Sequence, residues 1–108
     1  MKEIKTINEL NEVIKQDGLI IIKISGSWCI PCRVLTQSIE DIQPEYLEET
    51  KVTFYEVDVD NADQELIDKF NVMNVPILLF FKEGLQVDKV VGNIPKTTLI
   101  DKIETNRL

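Results

Sequence analysis

Apolar positions along the chain alternate between two periods, and each switch of period marks an element boundary. Ile7, Leu10, Val13 and Ile14 fall on one face of a helical period, and Thr6 with Glu9 forms the capping box that opens a helix there. Asp17-Gly18 ends it. Residues 19–24 are rich in β-branched side chains and almost continuously apolar, as in a strand buried on both faces, and only Lys23 interrupts the run. From Pro31 the helical period returns through Val34, Leu35, Ile39 and Ile42 and stops near Pro44. Residues 51–59 alternate and carry aromatic and β-branched side chains, which predicts a strand. Asn61 with Gln64 is a second capping signal, ahead of a helix bearing Leu66, Ile67 and Phe70. Residues 77–81 predict a strand, Lys82-Glu83-Gly84 a turn, 87–91 its hairpin partner, and Gly92 the break after it. Pro95 suits the first turn of a last helix carrying Leu99, Ile100 and Ile103.

Strands alternating with helices, then a hairpin and a closing helix, predict an α/β fold. Its centre is a mixed β-sheet of four to five strands, flanked by about four α-helices. The 108 residues fit one domain, 1–108, with no linker or repeat inside it.

Composition narrows the function. With 12 basic and 19 acidic residues the net charge is −7, which argues against nucleic acid and against an anionic membrane surface. No histidine is present, so a Cys/His or Ser/His nucleophile system is excluded. The polar N-terminus has no signal-peptide pattern, and no apolar run reaches the roughly 20 residues that cross a bilayer. The expectation is a cytosolic protein, where exposed thiols stay reduced. Nothing in the sequence points beyond a monomer.

Two cysteines remain, and they are close together in Trp28-Cys29-Ile30-Pro31-Cys32, where the buried strand hands over to a helix. A thiol at a helix N-terminus meets unpaired N–H groups and the positive end of the macrodipole. Its pKa falls, and it becomes a nucleophile at neutral pH. Cys32, one turn inside, is shielded and close enough to attack a mixed disulfide. Pro31 loses nothing in a first turn. Three other readings compete with redox chemistry. A structural disulfide closing so short a ring adds little stability. Half a zinc site would need two soft ligands from another chain. Inert buried cysteines have no reason to sit between Trp and Pro at a helix start.

Trp-Cys-x-Pro-Cys after an apolar strand, with Val75-Pro76 before a late one, resembles the thioredoxin family, and the similarity runs nearly end to end through Gly84 and Gly92. The resemblance implies a thioredoxin fold and reduction of protein disulfides, with Cys29 the nucleophile and Cys32 the resolving thiol of a redox-active Cys29–Cys32 disulfide. It also implies that Pro76 is cis beside the two sulfurs and that Val75 offers backbone N–H and C=O to an extended substrate. Trp28, Ile30, Pro31, Val75, Pro76 and Gly92 would form the substrate groove. No cofactor or metal would be bound. Reducing equivalents would come from NADPH through a flavin-containing thioredoxin reductase, and the partners would be that reductase and disulfide-containing proteins.

The chain departs from the family at several positions. The family usually has a buried Asp six residues before the first cysteine and a facing Lys on the next strand. Here those positions hold Lys23 and Glu56. A lone buried ammonium is costly, so Glu56 is the expected partner, and the exchanged pair is a candidate proton relay for Cys32. Ile30 replaces a common Gly between the cysteines, Gln37 a common helix-kinking Pro, and Ser25 a common Trp, which leaves Trp28 the sole indole. Arg33 adds positive charge near the pair. These differences leave two rival functions: an oxidase or isomerase on the same fold, and a specialised binding module that seldom uses its cysteines.

Overall fold

A computed structural model describes residues 1–46 and 48–108. In chain order the elements are β1 (Lys2–Glu3), α1 (Ile7–Ile14), β2 (Leu19–Ser25), α2 (Ile30–Ile42), β3 (Val52–Asp58), α3 (Gln64–Lys69), β4 (Ile77–Lys82), β5 (Leu85–Val91) and α4 (Lys96–Arg107). Short 3₁₀ turns at Gln43–Glu45 and Glu48–Thr50 lead from α2 to β3.

The five strands form one mixed sheet in the order β1-β3-β2-β4-β5. β1, β3 and β2 run parallel, while β4 runs antiparallel to β2 and β5 to β4. Every residue of β2 is buried, as its continuous apolar run requires of a central strand.

Alternation along the strands divides the core in two. Ile20, Ile22 and Ile24 of β2 meet Leu10 of α1 and Leu66 of α3 on one face. Leu19 and Ile21 meet Leu35, Ile39 and Ile42 of α2 and Leu99 and Ile103 of α4 on the other. The first helix keeps its predicted capping box: Glu9 N–H donates to Thr6 Oγ1 at 3.1 Å, and the Glu9 carboxylate accepts the Thr6 N–H in return.

Four details differ from the sequence reading. α3 opens at Gln64 behind Asp63, because the N–H groups of Asn61 and Ala62 are spent on Asp58 C=O in a turn and the Asn61 amide donates to Glu3. Val34 lies beside the buried stripe of α2 and is exposed. β5 begins at Leu85, because Glu83 and Gly84 both take positive φ (54° and 80°) and close a two-residue hairpin turn. β1 is too short for any period to reveal.

Candidate active site

The end of β2 and the start of α2 build the first wall of the site. Cys29 is the N-cap of α2 in an extended conformation, and its Sγ accepts the Cys32 N–H at 3.2 Å. The same N–H would stabilise a Cys29 thiolate, with the helix dipole adding to it. Cys29 and Cys32 are joined as a disulfide, with Cα atoms 5.2 Å apart, and they are 5% and 2% exposed. Trp28 and Ile30 on either side of Cys29 are open to solvent. Gly26 lies so close under the Trp28 indole that a Cβ there would press on the ring at 2.8 Å. Arg33 is exposed, and its guanidinium donates to Ser27 C=O at 2.9 Å, which braces the loop before the first cysteine.

The segment before β4 builds the second wall. The Val75–Pro76 peptide is cis, Pro76 is buried, and Val75 C=O lies 3.9 Å from Cys29 Sγ. Gly92 N–H donates to Pro76 C=O at 2.8 Å with φ at +90°, and a Cβ on Gly92 would meet no protein atom within 4 Å. Backbone conformation, rather than protein crowding, therefore calls for glycine there.

Lys23 and Glu56 are register partners on β2 and β3, and Lys23 Nζ lies 3.1 Å from Glu56 Oε1. Ser25 Oγ donates to the same oxygen at 2.8 Å. Burial works to raise the Glu56 pKa, but the Ser25 bond and the Lys23 charge outweigh it and hold the carboxyl below its usual range. These three residues and Cys32 line one cavity of about 230 Å³. Ser25, which the sequence reading singles out only as a substitution for a common Trp, thus joins the charged pair. Its signal was parity: it shares a strand face with Lys23, two positions on. Among the described residues no group of three or more His, Cys, Asp or Glu is placed to hold a metal.

The thioredoxin family model matches residues 2–105. The chain belongs to the thioredoxin family. Thioredoxin-1 of Saccharomyces cerevisiae is 36% identical over 93 residues, covering 86% of this chain and 86% of that protein. A solved structure of thioredoxin from Plasmodium falciparum superposes with a TM-score of 0.85 at 29% identity, covering 98% of this chain and 99% of that one. The chloroplastic M-type thioredoxin of Spinacia oleracea is 28% identical over 96% of this chain, which spans only 58% of that protein's length. In a thioredoxin-family domain, a Cys-x-x-Cys pair at disulfide distance is a thiol–disulfide exchange centre.

Proposed function

We propose that the chain is a thioredoxin-type reductase of protein disulfides, with Cys29 the nucleophile and Cys32 the resolving thiol. One observation carries this reading most: Cys29 Sγ caps α2, accepts the Cys32 N–H, and faces Val75 C=O across the site.

Cys29 thiolate attacks one sulfur of a substrate disulfide, and the substrate's other sulfur leaves as a thiolate. Cys32 then loses its proton and attacks Cys29 Sγ. The Cys29–Cys32 bond forms, the mixed disulfide breaks, and a second substrate thiolate departs. Two electrons have passed to the substrate, and the pair is left in the bonded form seen here. Trp28, Ile30, Pro31, Val75, Pro76 and Gly92 form the substrate surface. The Val75 backbone pairs with an extended peptide, and the exposed Trp28 and Ile30 give the surface an apolar rim.

A flavin-containing thioredoxin reductase returns the electrons from NADPH, and no cofactor is held by the chain itself. The chain works as one domain spanning 1–108, as a monomer in the cytosol; no described helix is long and apolar enough to cross a membrane.

The test couples reduction of insulin disulfides to NADPH oxidation through thioredoxin reductase. NADPH consumption that depends on this protein and vanishes in Cys29→Ser is the expected result. Failure with reductases from several sources would overturn the reading.

A further inference from the structure

Three of the chain's four glycines, Gly18, Gly84 and Gly92, take positive φ, the region that favours a residue without a Cβ. Gly26 does not, so its own backbone gives no reason for glycine. Glycine in an ordinary conformation enlarges the freedom of the unfolded chain, a cost that alanine would remove. The reason for it lies in its neighbour. The three atoms nearest to where a Cβ would sit all belong to the Trp28 indole, with Cε2 and Nε1 at 2.8 Å and Cζ2 at 3.0 Å. Carbon atoms pack at about 3.5–4.0 Å, so a Cβ and the ring cannot both keep these places.

Gly26 also anchors the nucleophile. Its C=O accepts the Cys29 N–H at 3.1 Å, which closes a turn with Ser27 and Trp28 in the middle. Arg33 Nη2, on α2, donates to Ser27 C=O at 2.9 Å, and Cys29 caps the same helix. The backbone of this turn is therefore fixed relative to the Cys29 sulfur, and Gly26 is buried within it. Trp28 is 65% exposed, so most of its indole faces solvent while the edge bearing Cε2, Nε1 and Cζ2 is laid against Gly26.

An exposed aromatic ring that swings freely must be ordered when a partner docks, and affinity falls by that cost. A ring already seated escapes it. We propose that Gly26 is a positioning residue for substrate recognition: by lacking a Cβ it seats the Trp28 indole edge-on against the Cys29 turn, which holds the ring as a preformed docking surface for a protein disulfide. The inference rests on the reading of Trp28 as part of the substrate surface of a disulfide reductase. Gly26 acts through the ring alone. Its effect therefore belongs to substrate binding, and the exchange of sulfurs proceeds without it.

A double-mutant cycle tests this. Pre-reduced protein is mixed with insulin over a range of concentrations, then quenched with acid and alkylated. The thiols lost give a half-saturating insulin concentration and a limiting rate. Gly26→Ala should raise the half-saturating concentration about threefold to tenfold and leave the limiting rate within about twofold. Trp28→Ala should raise it as well. Adding Gly26→Ala to Trp28→Ala should then change it less than about twofold, because no ring remains to displace. Trp28 is the sole indole, so anisotropy decay of the oxidised protein reads its motion directly. The fast component, which reports local swinging of the ring, should grow in Gly26→Ala.

A merely structural role for Gly26 would lower the limiting rate in both backgrounds and leave the fast component unchanged. An equal rise in half-saturating concentration with and without Trp28, or no rise at all, overturns the proposal, as does a Gly26→Ala change that prevents folding in both backgrounds. A wild type that loses no thiols to insulin overturns the reductase reading and the proposal together. Wild-type reduction of insulin that Gly26→Ala leaves untouched overturns the proposal alone.

Discussion

Lys23 and Glu56 stand opposite each other on neighbouring parallel strands, and their side chains meet at 3.1 Å with very unequal burial, 2% exposed for Lys23 and 31% for Glu56. The inequality makes the pair asymmetric in stability. Glu56→Leu strands an ammonium in the core and should cost about 3–5 kcal/mol. Lys23→Leu leaves a part-exposed carboxylate that still has Ser25, and should cost no more than about 1–2 kcal/mol. Urea unfolding of both variants checks this, and the reverse order would contradict it.

The two cysteines should fail in different ways. Cys32→Ser keeps the N-cap sulfur but loses the resolving one, so it should accumulate a mixed disulfide with substrate, seen as an intact adduct by mass spectrometry. Cys29→Ser should form none, since Cys32 is buried behind it.

Asp88 ties β5 to α4, with Lys102 Nζ at 3.2 Å and Asn106 Nδ2 at 2.9 Å from its Oδ2. Burial works to raise its pKa, but Asn106, the Lys89 N–H and Lys102 outweigh burial and lower it. A carboxyl depressed on folding stabilises above its unfolded pKa, and that contribution is lost as pH falls through the folded value. Asp88→Asn should therefore cost about 1 kcal/mol at neutral pH, and the difference should fade in acid. Thermal unfolding across that range measures it.

Tyr46 should ionise late. Burial, then its hydrogen bond to Glu104 Oε2 at 2.9 Å, pushes its pKa up to about 12. Because the folded value is raised, the contribution is complete below the unfolded pKa of about 10 and is lost as pH rises through the folded one. Alkaline difference absorbance should show one tyrosine titrating near that value, and Glu104→Gln should bring it down.

Most of this molecule was legible in its residues, because two periods of hydrophobicity leave little choice of element where runs are long. The Thr6–Glu9 box and the β2 run located α1 and the central strand, and the Lys23–Glu56 partnership followed from the family resemblance, which set the two positions, together with the cost of burying an amine. Other features depended on tertiary context. β1 exists only because β3 offers it an edge. Asn61 carries a capping pattern but is spent on Glu3, so α3 starts later. Ser25 looked like a plain substitution, because its value lies in a bond to a side chain 31 residues away.

The central claim is that Cys29 and Cys32 form a dithiol poised to reduce. Equilibrating the protein against glutathione buffers, with the sole tryptophan, Trp28, as the fluorescence reporter beside Cys29, measures that poise. A potential near the ~−270 mV of thioredoxin is the predicted result. A potential near ~−120 mV, as in a dedicated oxidant, would contradict it.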